Sequence, residues 1–282
     1  MLTIGSLSIL NPYIQAPLAG YSNRAYRHLV IEHSCFLTTS EMISVEGLWR
    51  KSKNTLKMIS LSENEKHFCI QLFGKNPESY KKAVDVLLNN LTPSVVDINA
   101  GCPVKKVMKT GAGASMMADL DNTREVIKVL KNALGNIPLT IKFRLGINRG
   151  NPCFIEFADN ALSAGADAIS LHTRFASDLY SGSADFESIR VLREKFPSST
   201  ILASGDVFSY EIADRYMNDY GINGVLIARG AIGNPFIFEK INPDTRMRKA
   251  AFDRHFELLC YYEGKERAEL EIRKFKSRYK ID

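Results

Sequence analysis

The segment SVVDINAGCPVKKV (94–107) ends an apolar run at Asn99, sets a lone thiol at Cys102, and follows Pro103 with Lys105 and Lys106. A thiol in that setting could pack, ligate a metal, attack as a nucleophile or donate a proton. The other four cysteines (Cys35, Cys69, Cys153, Cys260) lie far apart, with no CxxC or CxH spacing. They imply neither a zinc site nor a disulfide framework, so no metal is expected. A thiol with an ordinary pKa of about 8.5 is mostly protonated at neutral pH and can act as an acid without tuning. Other reactive side chains interrupt apolar runs: Gln71 in HFCIQLFG (67–74), Lys142 and Arg144 in LTIKFRLG (139–146), and His172 in AISLHTR (168–174). A buried charge costs several kcal/mol unless it is paired. Lys142 could pair with Glu41 or Asp97 merely to fill a core. An amide, an amine, a guanidinium and an imidazole in successive runs argue instead for a ligand.

The elements that would position these groups repeat along the chain. Strand-like runs fall at 13–20, 36–42, 67–74, 94–101, 139–146, 168–174, 200–207 and 224–231. Each is short, aliphatic and bounded by Gly, Pro, Ser or Asp, the pattern of strands buried on both faces. Helical patterns fall between them at 77–90, 121–134, 154–165, 185–196 and 209–221. The helix at 121–134 is expected to be capped by Asp121 or Asn122 and to stop before Gly135. Eight such units predict a (β/α)8 TIM barrel over residues 1–240 rather than an open doubly wound sheet. In a barrel, residues at the C-terminal ends of strands line the active-site mouth. Those ends here carry Pro17, Ala19, Gln71, Asn99, Cys102, Lys142, Arg144, His172, Ser204, Gly205, Asp206, Ala228 and Arg229.

The last two strand ends narrow the ligand. ILASGDV (201–207) and LIARGAIGNP (226–235) both run into glycine turns. The loops after the seventh and eighth strands of a barrel often hold a phosphate on backbone N–H groups, and Arg229 would add a charge-assisted contact. A phosphate there, with Gln71 and Lys142 free to meet a pyrimidine edge, suits flavin mononucleotide. No GxGxxG follows the first strand, which argues against a Rossmann dinucleotide site.

Bulk properties set the boundaries. The 282 residues carry 45% hydrophobic and 24% charged side chains and a formal charge of +6, as in an ordinary globular protein with a mild bias toward polyanionic partners. No run reaches the roughly 20 apolar residues that span a bilayer. The N-terminus lacks the basic start and cleavage site of a signal peptide, so a cytoplasmic, membrane-free protein is expected. A monomer is expected.

In these motifs the chain resembles the tRNA-dihydrouridine synthase family, FMN-dependent barrel reductases that act on uridines in folded tRNA, and within it the bacterial B-type branch. The resemblance rests on APLAGYSNRAYR (16–27), SEM (40–42), IQLFG (70–74), DINAGCPVKKV (97–107), IKFRLG (141–146), LHTR (171–174), ASGDV (203–207) and ARGAIGNPFIF (228–238). It implies that Pro17, Leu18 and Ala19 lie against the flavin ring and that Gln71 and Lys142 bind its pyrimidine side. His172 matches the flavin-pocket imidazole, and Ser204, Gly205, Asp206, Ala228 and Arg229 match the phosphate segments. Asn99 and Arg144 match positions near the substrate uracil, Cys102 matches the general acid, and Lys105 and Lys106 would meet RNA backbone. NADPH would be the reductant and tRNA the partner. The family usually has Asn at the place of Ser204 and Gly at that of Ala228. Thr173 and Phe175 also replace residues of its His-Gly-Arg-Thr run.

Residues 241–282 have no strand pattern and read as two helices broken at Gly264, whose charges suit either a phosphate-tracking or a merely solvated face; the resemblance implies a helical tRNA-binding module, either reduced or truncated. Residues 240–282 hold twelve Lys or Arg against eight Asp or Glu. In IRKFKSRYK (272–280), Phe275 and Tyr279 could stack on RNA or pack on the barrel. Two rivals remain at this level: a small-molecule flavoenzyme of the dihydroorotate dehydrogenase type, and a non-catalytic RNA-binding barrel. Neither accounts for the whole set, because the first leaves Lys105 and Lys106 idle and the second leaves Gln71, Lys142 and Cys102 idle.

Overall fold

The computed structural model describes residues 2–281. The chain opens with an antiparallel hairpin, β1 (Leu2–Ile4) and β2 (Leu7–Ile9), turned at Gly5 in the left-handed region. The barrel strands follow: β3 (Tyr13–Gln15), β4 (Thr38–Thr39), β6 (Phe68–Phe73), β7 (Val95–Ala100), β8 (Leu139–Arg144), β9 (Ala168–His172), β10 (Ile201–Ser204) and β11 (Gly224–Ile227). A two-residue strand, β5 (Ile43–Ser44), pairs with the far end of β6. Every ladder from β4 through β6 to β11 and on to β3 is parallel. At the seam between β3 and β4, the Gln15 N–H donates to Leu37 O at 3.2 Å and the Thr39 N–H donates to Gln15 Oε1 at 2.9 Å. One buried glutamine side chain thus replaces part of a backbone ladder and closes the ring.

Strand alternation sorts the side chains into two cores. Outward residues such as Val96, Ile98, Ile141, Phe143, Ile169 and Leu171 join the shell under the helices. Inward residues at the strand beginnings (Ile14, Cys69, Val95, Ala168, Leu202, Leu226) form a second core with Leu2, Ile4 and Ile9 of the hairpin. The hairpin therefore stoppers the barrel floor. Further along the same strands the inward positions become polar: Asp97 beside Thr140, then Asn99 beside Lys142, then Arg144 beside His172. The charges that interrupt apolar runs are the inward alternates near the barrel mouth.

Among the described residues, nine helices cover the ring: α1 (Arg24–Glu32), α2 (Val45–Trp49), α3 (Lys53–Met58), α4 (Pro77–Leu88), α5 (Lys105–Met108), α6 (Leu120–Leu134), α7 (Phe154–Ser163), α8 (Glu187–Lys195) and α9 (Tyr210–Tyr220). The cap of α6 is Asp119, which accepts the Asn122 N–H at 3.2 Å, and not Asp121 or Asn122 as the pattern predicts. Asp119 supplies the carboxylate just ahead of the first helical residue, where the free N–H groups point.

Beyond the barrel come α10 (Thr245–Glu263), α11 (Lys265–Glu271) and α12 (Arg273–Tyr279). Gly264 (φ +82°) breaks the first from the second, as expected. The second expected helix is itself divided at Ile272, where the Phe275 N–H turns back to Ile272 O at 3.0 Å. Phe275 and Tyr279 are fully buried and meet Tyr21, Tyr26 and His255 ring to ring. Stacking on RNA is therefore excluded for both: Phe275 packs α12 onto Tyr26 of α1, and Tyr279 packs it onto His255 and Phe252 of α10.

Candidate active site

The β7–α5 loop sets Cys102 at the barrel mouth. Asn99, the last inward residue of β7, accepts the Gly101 N–H at 3.1 Å and the Cys102 N–H at 2.9 Å through Oδ1. On the other side, the Ala114 N–H donates to Cys102 O at 3.0 Å. Gly113 (φ +61°) allows that approach, since a Cβ there would lie 2.7 Å from Cys102 O and 3.1 Å from Cys102 Cβ. Gly113 of TGAGASMM (110–117) therefore lets this segment close on the backbone that carries the thiol. The thiol is half-buried, and burial pushes its pKa up against the pull of a Val104 backbone hydrogen bond and of Arg144. It keeps its proton at neutral pH.

Behind Cys102 runs a line of amides. Asn99 Nδ2 donates to Gln71 Oε1 at 2.8 Å, and Gln71 Nε2 donates to Asp97 Oδ2 at 2.7 Å. Thr140 Oγ1 donates to Asp97 Oδ1 at 2.5 Å, and the Gln71 N–H donates to Ser40 Oγ at 3.0 Å. Burial raises the Asp97 carboxyl to about 6 against these hydrogen bonds and the nearby Lys142.

Lys142 pairs with neither candidate carboxylate. Asp97 is occupied as described, and Glu41 Oε2 accepts the Gly20 N–H at 2.6 Å. No hydrogen bond or ion pair holds the Lys142 amine among the described residues. Burial, followed by the charge of Arg144, lowers it to about 8 against the pull of Asp97. It is cationic at neutral pH and free to meet a ligand. His172 is held neutral by burial and by the charges of Lys142, Arg144, Arg174 and Arg229. Pro17, Leu18 and Ala19 form the loop after β3, where the Leu18 N–H donates to Ser22 Oγ at 2.9 Å. Ser22 is held in turn by Arg27, whose Nη1 donates to Ser22 O at 2.7 Å and whose Nε pairs with buried Glu65 at 2.8 Å.

Two expected roles change character. Arg144 is 3% exposed and donates through Nε to Gly101 O (2.8 Å) and through Nη1 to Phe175 O (2.9 Å) and Leu179 O (3.2 Å). It staples the Cys102 loop to the β9–α8 loop, leaving Nη2 as its one nitrogen without an acceptor among the described residues. Asp206 (φ +46°) pairs through its carboxylate with Arg174 at 2.5 Å and Arg229 at 3.2 Å. A carboxylate so engaged would not face a phosphate. Its backbone N–H can, because the N–H groups of Gly205, Asp206 and Gly230 have no acceptor among the described residues. Both glycines are compelled by crowding: a Cβ on Gly205 would lie 2.6 Å from Thr173 Oγ1, and one on Gly230 would lie 2.0 Å from Val207 O. Ser204 and Ala228 stand at the strand ends beside this cradle.

Arg174 belongs to the site although only its position at a strand end signals it. Its guanidinium is 2% exposed and Nη1 is buried with no partner among the described residues. Free N–H groups, an orphaned guanidinium nitrogen and the half-exposed Arg229 fit an anion at β10 and β11, while Lys142 and the amides fit a polar ring edge at β6 to β8. The donor set suits a flavin mononucleotide. Lys105 and Lys106 sit exposed on α5, one turn beyond Cys102 and outside the pocket. No group of three or more potential metal-ligating side chains converges among the described residues, and no helix among them is long and apolar enough to cross a membrane.

Comparison with known proteins bears on this arrangement. A probable tRNA-dihydrouridine synthase of Treponema pallidum is 37% identical over 246 residues, spanning 85% of this chain and 72% of the relative. The tRNA-dihydrouridine synthase B of Vibrio cholerae is 33% identical over 242 residues, 85% of this chain and 74% of its own length. Among solved structures, morphinone reductase shares the fold at a TM-score of 0.60 and 14% identity, covering 88% of this chain and 91% of its own. A 2-naphthoyl-CoA reductase complex aligns at a TM-score of 0.67 and 11% identity, over 85% of this chain and 51% of the reductase. The family model for dihydrouridine synthase (Dus) matches residues 14–280, from the first barrel strand through α12, and the chain belongs to that family.

Proposed function

We propose that this chain is a flavin-dependent oxidoreductase that reduces the C5–C6 double bond of uridines in tRNA to 5,6-dihydrouridine, with FMN bound in the barrel mouth and NADPH as the source of hydride. The observation that carries this reading is a clamped, half-buried thiol and a buried lysine amine without a partner among the described residues, both at the C-terminal ends of barrel strands. Family membership supplies the substrate class. Action in the cytoplasm, where tRNA is found, goes with that substrate.

The residues divide the work. The N–H groups of Gly205, Asp206 and Gly230, with Arg229 and Arg174, would bind the flavin phosphate between Ser204 and Ala228, and Asp206 would hold the two arginines in place. Lys142 would sit at the pyrimidine edge, where its charge favours an electron-rich ring. Neutral His172 and the Gln71 amide would complete that edge, and Pro17, Leu18 and Ala19 would bound the ring. When bound, the flavin supplies a hydride to C6 of the uracil. Cys102 holds the proton that C5 must receive, and Arg144 beside it favours the thiolate left behind until solvent returns a proton. Asn99 and the remaining Arg144 nitrogen would orient the uracil carbonyls. The uridine must leave its loop in the tRNA to reach Cys102, and Lys105 and Lys106 lie where flanking phosphates would pass.

Cys102→Ala tests the assignment. Flavin content and its reduction by NADPH should match the parent, while tRNA turnover falls roughly 10²- to 10⁴-fold, the range for loss of a general acid. Mass mapping of dihydrouridine in tRNA from cells lacking the gene should show a defined position reverting to uridine. Unchanged turnover in the variant, or unchanged tRNA in those cells, defeats the reading.

A further inference from the structure

The line of amides behind Cys102 has two fixed ends. At one end the Gly101 and Cys102 N–H groups can only donate. At the other, Asp97 when ionised can only accept, and Thr140 Oγ1 already donates to its second oxygen. Between them stand two primary amides, each with a donor side and an acceptor side. One polarity satisfies both ends: Cys102 N–H to Asn99 Oδ1, Asn99 Nδ2 to Gln71 Oε1, Gln71 Nε2 to Asp97 Oδ2. Reversing either amide would set donor against donor at the loop or acceptor against acceptor at the carboxylate. The two fixed ends therefore determine the orientation of both amides.

We propose that Asp97 is a positioning residue for the proton donor: its carboxylate orients Gln71 and Asn99 in series and so fixes the backbone of the loop that carries Cys102. Asp97 itself lies on the floor side of this layer, 5% exposed, in a small cavity of about 20 Å³ lined also by Thr39, Thr140 and Ser170. It makes no hydrogen bond to Cys102 or to the loop that carries it. Its influence passes through two hydrogen bonds that share acceptor and donor on the same amide, the arrangement in which neighbouring bonds polarise one another. Without the carboxylate, Gln71 loses its obligatory acceptor and is free to turn over, so Asn99 keeps Oδ1 toward the loop N–H groups but its Nδ2 no longer meets a fixed acceptor. The inference rests on the role proposed for Cys102, but the linkage from Asp97 to the loop can be measured without turnover.

The test is site-resolved alkylation of Cys102 by iodoacetamide, read by peptide mass spectrometry, with Cys153 as the internal reference. Asp97→Asn keeps the size of the side chain and removes its obligatory acceptor character. The Cys102 rate should change at least threefold relative to Cys153 in both flavin-loaded and flavin-free protein. In the loaded enzyme, kcat for tRNA should fall about tenfold or more with KM little altered. A double-mutant cycle with Asn99→Ala locates the route: in that background Asp97→Asn should have no further effect on the Cys102 rate. Equal rates in parent and Asp97→Asn overturn the proposal, as does full additivity in the cycle. If Asp97→Asn fails to fold, Thr140→Val is measured in its place, since it removes one donor to the same carboxylate and should shift the Cys102 rate in the same direction; no shift again overturns it. Absence of dihydrouridine synthesis by the parent enzyme would instead refute the proposed reaction and leave the linkage measurable.

Discussion

Lys142 shows how much a single buried amine can report. Its pKa of about 8 means that the charge facing the pocket is present below that value and disappears as pH rises through it. If that charge holds the pyrimidine side of the flavin, cofactor affinity should be greatest near neutral pH and weaken on the alkaline side of about 8. Lys142→Arg, whose charge persists to higher pH, should flatten the profile even if the fit is poorer. Lys142→Ala should release flavin or leave it loosely held at every pH. Fluorescence of free flavin, titrated against protein at a series of pH values, measures all three. An affinity that ignores pH from 7 to 9 in the parent would remove Lys142 from the cofactor edge. The residue is identifiable in the sequence because a lysine inside a β-branched run needs a reason. Its lack of a partner is not identifiable there, since Glu41 and Asp97 are both plausible partners by residue type and only the fold shows each engaged elsewhere.

At the scale of elements, the strands are legible in the sequence and the clamps are not. Runs such as VVDINA and LTIKFR advertise themselves because the outward residues must be aliphatic to sit under helices, and the inward ones change from apolar to polar where floor gives way to mouth. The hairpin of β1 and β2 leaves no such mark because two three-residue strands around Gly5 are too short for alternation to show. The hold on Cys102 is hidden for a different reason. Its partners are drawn from β7, from the segment 113–118, and from Arg144 of β8, and hydrogen bonds between separate elements leave no periodic trace. Gly113 gives this clamp a test. Alanine there meets Cys102 O at 2.7 Å in a backbone conformation that L-residues disfavour, a combination that costs about 1–3 kcal/mol. Gly113→Ala should unfold at lower denaturant and alter Cys102 alkylation while retaining flavin, whose proposed partners lie elsewhere. A variant with normal thiol reactivity would show that the segment packs without positioning. Arg144 belongs in the same account, since three loop carbonyls claim its nitrogens before any substrate can.

The whole molecule joins a barrel to a helical appendage through one shared core, and that sharing decides which charges are available to RNA. Ile272, Phe275 and Tyr279 are buried, Phe275 stacks on Tyr26 of α1, and a Cβ on Gly233 would lie 2.3 Å from the Arg278 carbonyl carbon. The appendage is thus seated on the turn that follows the eighth barrel strand. Helical spacing then forces Arg273 and Lys276 onto the opposite, solvent-facing side of α12, with Lys280 just past its end, and all three are exposed. Lys105 and Lys106 form a second basic pair beside Cys102. Charges of this kind could serve only solubility, in which case reversing them changes nothing that depends on tRNA. If they track phosphates, every phosphate no longer neutralised should reduce the slope of log affinity against log salt by about 0.7–0.9. Replacing Lys105 and Lys106 by alanine should therefore raise KM for tRNA and flatten the salt dependence by nearly two such increments, with flavin reduction by NADPH unchanged. Arg273→Glu with Lys276→Glu should do the same without touching the pocket. Equal KM and equal salt slopes in both variants would confine RNA recognition to other surfaces. A change in only one would show which of the two basic faces the tRNA backbone crosses on its way to the thiol.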